Sequence, residues 1–132
     1  MATITKFEEL DMWQKARSLS KDIFIYIQEG GFKKDYKLID QINAASGSIM
    51  DNIAEGFERS SKLEFINFLS YSKGSAGEVK SQLYRALDRN YLSEEKFQQL
   101  YKRVDEITKM TTSFIAYLNQ ATIKGQKFKD RL

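Results

Sequence analysis

Residues 41–59, Gln-Ile-Asn-Ala-Ala-Ser-Gly-Ser-Ile-Met-Asp-Asn-Ile-Ala-Glu-Gly-Phe-Glu-Arg, decide how this chain folds. At 100° per residue they carry two stripes on one helix. Ile42, Ala45, Ile49 and Ile53 recur at helical spacing and make an apolar seam. Gln41, Ser48, Asn52, Glu55 and Arg59 stack along one flank of that seam, with the small residues Ala44, Ala45, Ser46, Gly47 and Ser48 around them. A helix that only fills a core needs no ordered polar flank, so another helix, another subunit or a ligand is expected to approach it closely.

Three further helical periods surround this one. The first runs from about Phe7 to Glu29, with Met12, Trp13, Ala16, Leu19, Ile23 and Ile27 on one face, and Gly30-Gly31 ends it. The second, about Lys34 to Arg59, holds the opening stretch. The third begins at Ser61, where Ser61-Lys62-Leu63-Glu64 has capping-box spacing, and continues to about Arg89. Its seam is Phe65, Phe68, Leu69, Ser72, Ala76, Val79, Leu83, Ala86 and Leu87. Asn90 suits a left-handed cap, and Ser93 with Glu94-Glu95 opens the fourth helix with negative charge at its positive dipole end. That helix is expected to bury Phe97, Leu100, Val104, Ile107, Thr111, Phe114, Ile115 and Leu118. No segment alternates with period two, and the connections are short, so successive helices lie antiparallel. The expected fold is all-α, an up-down-up-down antiparallel four-helix bundle in one domain over residues 1–120, followed by a basic, fraying C-terminal tail over 121–132.

Composition removes much chemistry. With no histidine and no cysteine, zinc sites, the Glu-x-x-His pairs of di-iron bundles, and His-activated serine or cysteine nucleophiles are all impossible. No metal or other cofactor is expected, and the chain reads as a non-enzyme. No apolar run approaches the ~20 residues of a membrane span, which with the absence of cysteine and of a signal-peptide pattern points to a cytoplasmic protein. The net charge of +3 is unevenly placed. Residues 1–59 carry 8 basic and 10 acidic side chains and residues 60–120 carry 9 and 7, so the body is neutral and the excess lies in Lys124, Lys127, Lys129 and Arg131.

Three constellations are candidates for function. Ser70, Gly74, Gly77 and Ser81 lie together on the face of the third helix away from its core. Two interior glycines cost about 1 kcal/mol each relative to alanine, so this face is expected to receive either a bulky side chain of the same bundle or, preferably, another subunit. Gln41, Ser48, Asn52, Glu55 and Arg59 suit a structural polar network, with Asn52 and Glu55 near the core boundary and Arg59 placed to pair with Glu55. Arg85, Arg89, Lys102, Arg103 and Lys109, with the four tail cations, are the candidates for nucleic-acid contact, although acidic residues are interspersed among them. Tyr71, Tyr84 and Tyr91 are candidate exposed aromatics.

The run Gln41-Ile42-x-x-Ala45-x-x-Ser48-Ile49-x-x-Asn52-Ile53-Ala54-Glu55-Gly56-x-x-Arg59 resembles the bacterial four-helix-bundle family of proteins encoded in intervening sequences of 23S ribosomal RNA genes. Glu64-Phe65-x-x-Phe68-Leu69, Gly74-Ser75-x-x-Glu78 and Leu10-Asp11-x-Trp13-x-Lys15-Ala16 extend the resemblance over nearly the whole chain. It departs at Asn43-Ala44, where the family often has basic residues, and at Phe32-Lys33, where it often has Phe-Pro. The resemblance implies a homo-oligomer, a pentameric ring of bundles, with a non-enzymatic role around RNA or DNA. A related branch is similar to the accessory protein of diversity-generating retroelements, which implies a partner protein such as a reverse transcriptase. A protein-binding scaffold or adaptor with no direct nucleic-acid contact is the alternative.

Overall fold

A computed structural model describes residues 3–121. Four helices, α1 (Asp11–Tyr26), α2 (Tyr36–Glu58), α3 (Lys62–Asp88) and α4 (Glu94–Ala121), make up the bundle, and no strand occurs among the described residues. Each helix packs on its two neighbours around a square, α1 on α2 and α4, α3 on α2 and α4. The expected antiparallel four-helix bundle is therefore the fold. The expected tail, with Lys124, Lys127, Lys129 and Arg131, lies outside the described residues.

The apolar seams meet in one core. Leu19 and Ile23 of α1, Leu38, Ile42, Ile49 and Ile53 of α2, Phe65, Leu69 and Leu83 of α3, and Leu100 and Ile107 of α4 are all fully buried. Each such side chain contributes roughly 1.5–3 kcal/mol relative to exposure. Phe68 and Leu87 of α3 and Phe114 and Ile115 of α4, expected in the core, are only half-buried. For α4 the cause is length. It runs 28 residues against 16 for α1, and Thr111 Oγ1 already lies level with Met12 at the start of α1, 3.8 Å from its sulfur. The last turns of α4 therefore outrun their neighbour. Phe114 packs instead on Phe65, which also meets Phe57 edge-on, forming an aromatic plug at that end.

Helix ends show where local chemistry overrides periodicity. The first helical period breaks at Leu10, whose extended backbone separates a 3-10 turn, Phe7–Glu9, from α1 and turns its side chain into the core. α1 stops at Tyr26, earlier than expected, and the turn that follows uses Gly30 at φ +53°. A second 3-10 turn, Phe32–Lys34, precedes α2, and Asp35 caps that helix by accepting from the Leu38 amide at 3.2 Å. Ser61 caps α3 by accepting from the Glu64 amide at 3.1 Å, and Ser93 accepts from the Lys96 amide at the start of α4. Asn90 takes φ +62°, the left-handed conformation expected of it.

Candidate functional site

The opening motif faces α3, and its small residues are what let the two helices approach. An added Cβ on Gly56 would lie 2.8 Å from Phe68 Cβ and 2.9 Å from Phe65 Cδ1, so no larger residue fits without displacement. Higher in the same seam, the buried Ser72 hydroxyl donates to the Ile49 carbonyl of α2 at 2.8 Å, and Ser75 donates to Ser48 Oγ at 3.0 Å. Asn52 Nδ2 donates to both the carbonyl and the hydroxyl of Ser48. Ser48, Asn52, Ser72 and Ser75 thus all find partners along this seam.

The flank residues make hydrogen bonds in separate sets, Asn52 with Ser48, Arg59 with Glu55 and Gln41 with Arg85. Arg85 donates to Gln41 Oε1 at 2.9 Å, and Arg59 binds Glu55 at 2.9 Å while its guanidinium lies 4.9 Å from the Phe68 ring centre. Glu55 differs from expectation in one respect, being exposed and not half-buried, because Arg59 holds it on the solvent side. Beside Ser48, α2 and α3 border an open cleft of about 570 Å³, lined by Gln41, Ala44, Ser48, Glu78, Ser81 and Gln82 among others. Gln82 is 8% exposed, and its Oε1 is buried there without a hydrogen-bond partner.

The outer face of α3 is uncovered. Ser70, Gly74, Gly77 and Ser81 are all exposed, and a Cβ added at Gly74 or Gly77 would meet nothing within 4 Å. Among the described residues no bulky side chain fills that face, so none of them accounts for the two glycines. Ser81 belongs to both this face and the border of the cleft.

Of the candidate cations, Lys102, Arg103 and Lys109 border one concavity on α4 together with Asp105 and Glu106, while Arg85 lies in α3 and Arg89 at its end. Arg89 pairs with Asp35 at 2.8 Å, Arg103 with Asp22 at 2.7 Å and with Ser18, and Lys109 with Asp105 at 3.3 Å. Arg85 is engaged by Gln41, and Lys102 alone of the five makes no ion pair or hydrogen bond among the described residues. The Lys80 and Lys109 ammonium groups hold the Asp105 carboxyl below its ordinary range, Lys80 the more strongly. Of the candidate aromatics, Tyr71 and Tyr84 are exposed, but Tyr91 is half-buried, with its hydroxyl donating to Asp35 at 2.8 Å.

That last contact belongs to a cluster the sequence reading missed. Asp35 caps α2 with one oxygen and with the other accepts from Tyr91 and Arg89. The Tyr91 hydrogen bond first, then the Leu38 amide and Arg89, hold its carboxyl below the usual range, and the same bond raises the Tyr91 phenol. Lys33-Lys34-Asp35-Tyr36-Lys37 surrounds this anchor, with every member but Asp35 exposed. The usable signal was Asp35 itself, a favoured N-cap residue type close to the expected start of the second helix and one position before α2 begins.

An antiparallel four-helix bundle with a tight polar seam between its two middle helices is the class these features define. The family described as 23S rRNA-intervening sequence protein matches residues 8–113, and the chain belongs to that family. The chain is also similar to the 1.70 Å crystal structure of a protein of unknown function from the S23 ribosomal protein family of Bacteroides thetaiotaomicron. The TM-score is 0.74 at 24% identity, over 80% of this chain and 95% of that one, a likeness of fold. No curated protein matches the chain. No helix among the described residues is long and apolar enough to cross a membrane.

Proposed function

We propose that this chain is a non-enzymatic, cytoplasmic accessory protein that assembles into a ring of identical bundles, a pentamer by family resemblance, and associates in that form with RNA or DNA. The observation that carries the reading is the uncovered face of α3, where Gly74 and Gly77 sit inside a helix with no neighbour to explain them. The unpaired Gln82 acceptor in the adjoining cleft supports it, since a second copy covering that edge would supply a donor. Membership in the rRNA-intervening-sequence family supports the nucleic-acid half of the proposal.

Light scattering on the native protein tests assembly, and Gly74→Leu and Gly77→Leu are expected to reduce the particle to a smaller species while helicity persists. Variants that keep the native size would sink the α3 interface. Purified protein is expected to shift mixed-sequence RNA or DNA at low salt, with binding that weakens steeply as salt rises because phosphate contacts release counterions. Absence of any shift would remove the nucleic-acid half. A second reading, a scaffold that binds a partner protein, is favoured by the internal pairing of Arg89, Arg103 and Lys109. A stoichiometric protein partner that survives nuclease treatment would select it.

A further inference from the structure

Most basic side chains considered so far are neutralised by partners, but one end of the bundle is different. Lys33 and Lys34 close the 3-10 turn before α2, Lys37 lies in its first turn, and Tyr36 between them is 74% exposed, the most exposed large apolar side chain among the described residues. None of the three lysines has an ion pair among the described residues. The nearest anion in sequence, Asp35, is already committed inward to Leu38, Tyr91 and Arg89. Asp40, one turn beyond Tyr36, is exposed and makes no ion pair with Lys37.

This end is also held in place. Phe32, 1% exposed, is buried beneath the segment and stacks on Tyr91 with ring centres 5.2 Å apart. Gly31 lies against the same Tyr91 ring, where an added Cβ would come within 3.3 Å. The cations and the tyrosine therefore stand on an anchored backbone, so binding there orders side chains only and leaves the main chain as it is.

We propose that the segment Lys33–Lys37 is a contact site for single-stranded nucleic acid, with Lys33, Lys34 and Lys37 on phosphates and Tyr36 stacking on a base. The proposal rests on the nucleic-acid half of the function above and gives it a location. The exposed aromatic ring among the cations decides for a single strand: a duplex hides its base faces, and an acidic protein or an anionic bilayer needs only the charges.

Fluorescence anisotropy of the full chain with a labelled 12-nucleotide oligo(dT) and a 12-nucleotide oligo(U), titrated over salt, tests it. The triple variant Lys33→Gln/Lys34→Gln/Lys37→Gln is expected to flatten the slope of log affinity against log salt by about 2, three contacts at roughly 0.7 each for a single strand. Tyr36→Ala is expected to weaken binding about tenfold with the slope unchanged, while Tyr36→Phe binds as the native chain does. Circular dichroism confirms that these surface variants fold. If the native chain binds and all three variants match it, the site is wrong and the broader function stands. If the native chain binds neither oligonucleotide, the site is wrong, and the broader function falls with it only if mixed-sequence RNA and duplex DNA are not shifted either. Loss of binding to vesicles containing 30% phosphatidylserine in the triple variant, with oligonucleotide binding and the Tyr36→Ala variant unaffected, would overturn the proposal in favour of a membrane surface.

Discussion

Gly56 and Gly77 are both helical glycines, Gly56 in the last turn of α2 and Gly77 in the middle of α3. The structure gives them opposite surroundings. Gly56 is pressed against Phe65 and Phe68, so a Cβ there would fall below 3.0 Å from two atoms, whereas Gly77 and its neighbour Gly74 face open space. The inner face of α3 follows the first pattern, with Ser72 and Ser75 bonded to α2, and the outer face, with Ser70 and Ser81 exposed, follows the second. Small residues thus serve two ends on one helix. On the inside they set the distance between helices in a finished contact, and on the outside they leave a smooth surface that nothing among the described residues covers.

The sharpest way to break this contrast is Gly56→Ala. Intrinsic propensity alone would stabilise α2 by up to about 1 kcal/mol. The crowding against Phe65 and Phe68 should reverse the sign, for a net loss of about 1–3 kcal/mol typical of an overpacked core. Urea denaturation reads it directly. A stabilised Gly56→Ala protein would show that the seam yields freely and that the glycine is not a spacing device.

Gly74→Ala and Gly77→Ala are the counterpart, with smaller effects of opposite sign. Each should raise the stability of the dissociated chain by about 0.5–1 kcal/mol, because alanine loses less backbone entropy on entering a helix and meets no obstacle. If the outer face is a subunit contact, the same substitutions should weaken assembly at micromolar concentration, so stability and particle size move in opposite directions. Stabilisation without any change in size would leave the outer glycines without an assembly role.

What was legible in the sequence follows from how far each interaction reaches along the chain. The seams of all four helices came from a period of 3.6 residues, a local property, and so did the capping box at Ser61 and the left-handed Asn90. The break at Leu10 was hidden because an apolar residue at that position continues the helical pattern, and only its burial in the tertiary core pulls it out of the helix. The partners of the candidate cations were hidden for a related reason. Arg85, Arg89 and Arg103 find their partners 44, 54 and 81 residues away, distances over which side-chain spacing carries no information. For the glycines, the period placed Gly74 and Gly77 on the outer face but was silent on whether anything covered them.

The contrast between completed and open surfaces extends to charge at the α1–α2 end, where Asp35 is fully engaged and the lysines around it are not. Its carboxyl is held below the ordinary aspartate value of 3.8, so ionised Asp35 favours the folded chain. That contribution is present above about pH 4 and disappears as pH falls through the lowered folded-state value, because the protonated acid is then bound equally well in both states. Tyr91 supplies the opposite limb. Its phenol is raised above 10.0 by the same hydrogen bond, so its contribution holds at neutral pH and is lost as pH climbs past 10 through the raised value. Asp35→Asn removes both limbs together and leaves the helix a neutral cap. Thermal denaturation of the native and Asp35→Asn chains should therefore differ most between pH 5 and pH 9 and converge toward either extreme. Curves that stay parallel below pH 4 would mean that Asp35 acts only as a cap, and that its charge is not what ties Arg89 and Tyr91 to the start of α2.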